Sequence, residues 1–248
     1  MILQKVDITM TAVIRPAMLA RTLKTITRFV VRKQKGFRLI INVDPIGEDV
    51  DPMKVVETAK KFFGKVKYNI AKEPSFSKAV KWIWSQAEAP FIFHWEDDTM
   101  ISREIDVANM ISILNKYPKL SSLRLYKANT PAKKSFSVFS CKWILKPEGF
   151  YIANDWKKQF GLNPILIKKE FIVEAVKRMK DNVNPEKQFR FSQKYMRDHI
   201  ENWEYGLYTK PGEKRIVDGR QGEQWKNKLG LKKPRGTTFL KWEQNVKR

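Results

Sequence analysis

The first hundred residues alternate short apolar runs with helical stripes, and this alternation restricts the fold more than any other property of the sequence. Residues 6–14 are a β-rich run that stops at Arg15-Pro16, where proline suits the first turn of a helix. Leu19, Leu23, Ile26 and Val30 then recur at helical spacing, one apolar stripe of a helix that closes near Gly36. Residues 37–44 make a second apolar run, ending at Asp44-Pro45. A helix over about 53–63, a short strand over 66–70 and a helix from Ser75 to about Ala87 continue the pattern. Residues 90–95 are a fourth strand, which runs directly into Glu96-Asp97-Asp98. Strands alternating with helices predict an α/β fold whose mostly parallel sheet is flanked by helices, with strand ends of one direction along one edge. Ligands of such sheets sit beyond the carboxyl ends of the strands, so Arg15, Asp44 and the acidic triplet are expected to converge.

Beyond Asp98 the regularity weakens. A helix over about 103–117 and a strand over 120–126 precede a stretch rich in Ser, aromatics and Lys up to Phe150. Residues 166–179 look helical in their later part, as do residues 189–203. No internal repeat and no long linker is visible, so a single domain over 1–248 with a decorated C-terminal third is the simpler reading. Cys141 is the lone cysteine and there are two histidines, which excludes a disulfide framework and a zinc cluster. No apolar run approaches the roughly 20 residues of a membrane span. The first apolar stretch carries Lys5 and Asp7, unlike a signal segment, so the chain is expected to be soluble and cytoplasmic. Charge is the outlier: 49 Lys and Arg against 26 Asp and Glu give +23. The stretch from Lys210 to the last residue holds 12 basic and 4 acidic residues, a net +8. Such an excess points to a polyanionic partner, or else serves only solubility.

Glu96 and Asp98 lie two apart, so along an extended chain both carboxylates face one pocket while Asp97 faces away or bonds the backbone. That suits a hard divalent cation, Mg²⁺ or Mn²⁺, completed by water and substrate phosphates. The bland alternative is a solvated acidic loop. Two features favour the site: the acids are concentrated in a basic chain, and they end an apolar strand at the expected ligand edge. Arg15 is a candidate for gripping a phosphate or a base, against a plain surface role. Asp44 is a candidate acceptor for a nucleobase or ribose, against a simple turn acid. Lys78, at a helix start, would face phosphates, against a solvated role. His94 and His199 show no partner pattern. Trp82, Trp84, Trp95, Trp143 and Trp156 are core or pocket walls, with some able to stack on a sugar or an unpaired base.

A first strand ending Thr11-Ala12-Val13-Ile14-Arg15-Pro16, a second ending Val43-Asp44 and a fourth ending Trp95-Glu96-Asp97-Asp98 resemble the GT-A fold glycosyltransferases, especially family 2-like members. The resemblance covers the nucleotide-binding half. It implies a GT-A-like, Rossmann-type sheet, with residues 1–100 binding a nucleotide-sugar, usually of uridine, and residues 101–248 binding the acceptor. By the same resemblance Thr11, Ala12, Ile14, Arg15, Asp44, Lys78 and Asp97 contact the donor, and Glu96 and Asp98 hold Mn²⁺ or Mg²⁺ under its diphosphate. Ser75 to Ala79 sits where the family has a donor-contacting loop and helix start, and Gly161 to Pro164 looks like an Asn-Pro element of related transferases. Two departures stand out. The first acid of the motif is Glu, and Asp218 stands where many members carry a late metal-binding histidine. Asp155 and Glu186 are candidates for the catalytic base of an inverting reaction. Some viral members of this fold glycosylate hydroxymethylated bases in DNA, and this compact basic chain resembles them. The implied acceptor is then phage-type modified DNA, met in the host cytoplasm. The other readings are the same chemistry on a polysaccharide or protein, and an inactive scaffold that binds nucleic acid.

Overall fold

A nine-stranded sheet carries the chain, and its four N-terminal strands are the ones the alternation predicts. The computed structural model describes residues 5–31, 36–125, 143–153, 160–162, 164–190, 192–208, 216–218, 231–232 and 243–244. The first strand, β1 (Val6–Ile14), is buried nearly throughout and leads into α1 (Pro16–Ile26), with Pro16 in the first turn. The helix continues as a π-helical stretch over Thr27–Val31, and Gly36, at φ 104°, starts the return to β2 (Phe37–Gly47). Next come α2 (Met53–Lys60), β3 (Val66–Ile70), α3 (Phe76–Ser85) and β4 (Phe91–Glu96). Ser75 caps α3 by accepting the Lys78 N–H. These strands stand in the order β3-β2-β1-β4, all parallel. Burial on both faces explains why β1, β2 and β4 read as near-continuous apolar runs, while β3, at the edge, carries Lys67 and Tyr68 exposed.

The remainder is mixed. A three-residue strand, β5 (Thr99–Ile101), follows the acidic triplet; α4 (Val107–Lys116), capped by Asp106, leads to β6 (Leu120–Arg124). Strands β7 (Trp143–Leu145), β8 (Tyr151–Ala153) and β9 (Ile165–Lys168) precede α5 (Lys169–Arg178), α6 (Pro185–Gln188), α7 (Lys194–Glu201) and β10 (Glu204–Leu207). β9 inserts between β4 and β6, antiparallel to both, and β10, β8 and β7 complete the sheet. The helix expected in the later part of residues 166–179 is α5, and the residues before it form β9, where Ile165, Leu166 and Ile167 are buried with a ladder on each side. Further on, β11 (Ile216–Asp218) pairs antiparallel with β5, and β12 (Leu231–Lys232) with β13 (Glu243–Gln244).

Helices cover both faces. Leu19, Leu23, Val55, Val56, Val107 and Met110 pack α1, α2 and α4 on one side; Val80, Trp84, Phe171, Phe189 and Ile200 build the other around α3, α5 and α7. On the second side His94 is an interior group: its Nδ1 accepts from Trp84 Nε1 and lies 3.2 Å from Thr9 Oγ1, and burial pushes its pKa down to about 3. His199 is buried and stacks on Phe171. Neither enters the site. Among the described residues no helix is long and apolar enough to cross a membrane.

Candidate functional site

The sheet changes direction of growth at β1, with β2 on one side and β4 on the other, the switch point at which ligands of such sheets sit beyond the carboxyl ends. Every N-terminal site candidate lies at that edge. Glu96 closes β4 opposite Thr11 of β1. Asp97 and Asp98 then form a tight turn into β5, so the extended-chain argument for the triplet stops applying at Glu96. The turn is pinned at both ends. The Asp97 N–H donates to the Thr11 carbonyl (3.1 Å), and Trp95 Nε1 donates across the turn to the Thr99 carbonyl (2.6 Å).

Asp97 points back into the protein. Its Oδ2 accepts the Val13 N–H (3.2 Å) and its Oδ1 accepts Arg15 Nη2 (2.6 Å), while the same nitrogen lies 3.4 Å from Asp98 Oδ2. Arg15 and Asp97 are a buried pair, whereas Asp98 keeps 22% of its side chain exposed at the rim. Arg15, placed by sequence on the donor, therefore grips the acidic turn itself. Burial pushes the Asp97 carboxyl up to about 6 against the pull of Arg15. Burial works against the Arg15 guanidinium too, yet Asp97 and then Asp98 hold it above its ordinary value.

Asp44 ends the apolar part of β2 and is buried. It accepts Asn42 Nδ2 at Oδ1 (3.0 Å) and the Ser75 N–H at Oδ2 (3.1 Å). Burial pushes its pKa up to about 6; the two hydrogen bonds oppose the rise and the charge of Asp97 adds to it. Three residues on, Gly47 has φ 140°, and a Cβ there would overlap the Ile14 backbone. Only glycine lets β2 pass so close to the end of β1.

The other candidates divide. Thr11, Ala12 and Ile14 are buried at the end of β1, and Lys78 is exposed in the first turn of α3. The backbone of Asp218, far along the chain, pairs with Thr99 beside the turn; its side chain lies outside the described residues. Glu186 is exposed on α6, its N–H donated to Asn184 Oδ1. Asp155 lies outside the described residues, as do Asn163 of the Asn-Pro element and the side chains of Trp143 and Trp156. Sequence reading passed over Asn42, although period two from Asp44 puts both on one face of β2.

Among the described residues no group of three His, Cys, Asp or Glu gathers to hold a metal ion on protein ligands alone. Glu96 and Asp98 nevertheless offer hard oxygen donors, and among the described residues only Arg15 holds the Asp98 side chain. Two carboxylates at the end of β4 and in its turn are a donor set that suits a hard divalent cation drawing its remaining ligands from water and phosphate.

No family model matches the sequence, and no curated protein matches it. Solved structures do. The structure is similar to S. aureus TarS 1-349, with a TM-score of 0.59 at 10% identity over 89% of this chain and 62% of that one. It is similar also to the mannosyltransferase PcManGT from Pyrobaculum calidifontis in complex with GDP-Man and Mn²⁺, with a TM-score of 0.60 at 13% identity over 90% of this chain. The fold is the GT-A fold. TarS 1-349 has also been solved in complex with UDP and with UDP-GlcNAc. The GT-A chain described here spans 62% of TarS 1-349 and 60% of PcManGT. A likeness at these identities carries the fold.

Proposed function

We propose that this chain is a metal-dependent glycosyltransferase that moves a sugar from a nucleotide-sugar, with UDP as carrier, to a hydroxyl of hydroxymethylated bases in DNA. The observation that carries the reading is the acidic turn at the switch point of a GT-A sheet, with Arg15, Asp44 and Asp97 locked around it. In this reading Thr11, Ala12 and Ile14 wall the nucleotide, and Asp44 accepts from its base or ribose. Glu96 and Asp98 hold the cation, with Asp218 as a further oxygen ligand. Bound there, Mn²⁺ or Mg²⁺ offsets the charge that grows on the departing diphosphate. Arg15 fixes Asp97 and Asp98, so the turn needs no rearrangement when the donor arrives. Lys78 faces the phosphates from the first turn of α3. In an inverting transfer Asp155 or Glu186 takes the acceptor hydroxyl's proton as the new oxygen–carbon bond forms, and the diphosphate leaves with the electron pair of the bond that breaks.

The DNA acceptor rests on the +23 charge, because Lys and Arg that neutralise phosphates gain affinity through counterion release. The decisive experiment is a thermal-shift screen of nucleotide-sugars with Mn²⁺, followed by mass spectrometry of hydroxymethylated DNA incubated with the hit. A sugar-sized mass increase is expected on DNA. Stabilisation by a donor without any gain on DNA would leave the transferase reading and remove the acceptor; no stabilisation by any donor would remove both.

A further inference from the structure

Asp44 is one end of a hydrogen-bonded row that the roles above leave unused. Asn42 Nδ2 donates to Asp44 Oδ1, and Asn69 Nδ2 donates to Asn42 Oδ1 at 2.7 Å. Asn69, Asn42, Thr11 and Glu96 are register partners on β3, β2, β1 and β4, so the row crosses the sheet at the level where the acids begin. Buried positions of a parallel sheet are ordinarily apolar, and asparagine is depleted in strands. Asn42 is nonetheless 2% exposed.

Chemistry fixes the direction of the row. An ionised carboxylate only accepts, so Asn42 turns its NH₂ to Asp44; its oxygen then faces Asn69, which answers with its own NH₂. The amides in turn hold the carboxylate's rotation about Cβ–Cγ, which is otherwise soft, while the Ser75 N–H holds the second oxygen. Asp97 is the charged group that acts on Asp44 from the neighbouring turn, itself paired with Arg15. We propose that Asn42 and Asn69 are positioning residues, a one-way amide relay that sets the Asp44 carboxylate in the orientation that receives the donor nucleotide. The proposal rests on the donor-site reading of Asp44.

Asn69 is half-buried on the edge strand, which makes it the place to test the relay. Asn69→Asp is nearly isosteric but sets a second carboxylate against Asn42, competing for its one NH₂. Asn69→Ala removes the donor without adding a competitor. Melting temperatures establish that both variants fold. The Asp44 carboxyl is followed by ¹³C NMR titration, and UDP binding with Mn²⁺ by calorimetry. Expected are a rise of the Asp44 pKa and a Kd weaker by roughly 3- to 10-fold in Asn69→Asp, with smaller changes of the same sign in Asn69→Ala. A packing role predicts the reverse order, since Ala is the larger change of shape. An Asp44 titration unmoved in Asn69→Asp overturns the relay whether or not UDP binds. A moved titration with an unchanged Kd overturns the positioning role while the donor-site reading stands. A native chain that binds no nucleoside diphosphate overturns the donor-site reading and the positioning role together.

Discussion

Arg15 and Asp97 make the sharpest statement about single residues, because each is a buried charge paired with the other at 2.6 Å. Arg15→Ala leaves a buried carboxylate unpaired and is expected to lower the unfolding free energy by about 3–5 kcal/mol in urea melts. Adding Asp97→Asn is expected to recover part of the loss. Asp98→Ala sits at the rim and is expected to change stability by less than about 0.5 kcal/mol while abolishing turnover. A variant that still transfers sugar would remove the metal assignment. Asp44 has a native pKa raised to about 6 from 3.8. The native state therefore binds its proton first, and this group's contribution to stability falls as pH rises between about 4 and 6, by on the order of 3 kcal/mol. Donor affinity is expected to run the other way and weaken below pH 6, with Asp44→Asn removing Asp44's share of both trends. The strand-end positions of Arg15, Asp44 and the acids were legible in the sequence. The Arg15–Asp97 bond was not, because it joins residues 82 apart and no local periodicity reports such a pairing.

Elements were legible where one period ruled. The strand over 66–70 has the expected bounds, and β1 and β4 lie within a residue of theirs. The helices of the first hundred residues are shorter than their apolar stripes, since a stripe continues into the capping turns. By contrast β9 was hidden, because Ile165, Leu166 and Ile167 make an apolar run too short to show a period of its own before the helix that begins at Lys169. Which strand β9 would join depends on contacts with β4 and β6 that lie far away in sequence. Gly47 shows an element held by one residue. Gly47→Ala forces a Cβ against the Ile14 backbone at positive φ, and a loss of about 2–4 kcal/mol is expected. Chemical denaturation measures that loss, and calorimetry of nucleotide binding tests the accompanying displacement of Ile14 and Arg15.

On the scale of the whole molecule, the mixed sheet joins the two halves of the chain, with β6 and β10 parallel to each other beyond β9. Composition alone suggested a polyanion, and DNA affinity is expected to fall on the order of a thousandfold between about 50 and 200 mM salt. A flat response would remove DNA as the acceptor. The pairing of β11 with β5 decides how the basic C-terminal stretch should be cut. A chain ending at Arg220 keeps β11 and discards 8 basic and 2 acidic residues. It is expected to bind UDP normally and DNA poorly, whereas a chain ending at Tyr208 is expected to lose both. Gel shift and calorimetry on the two truncations separate these outcomes.

The turn that bears the carboxylates thus leans, through β5, on a strand from far along the polypeptide. Whatever grips the residues after 218 pulls on a lever whose short arm is the pair Asp218 and Thr99, one step from Asp98. In the proposed transferase, capture of a long acceptor by that stretch and the hold of Glu96 and Asp98 on a cation would act in series through this pairing, so load on one would be felt by the other.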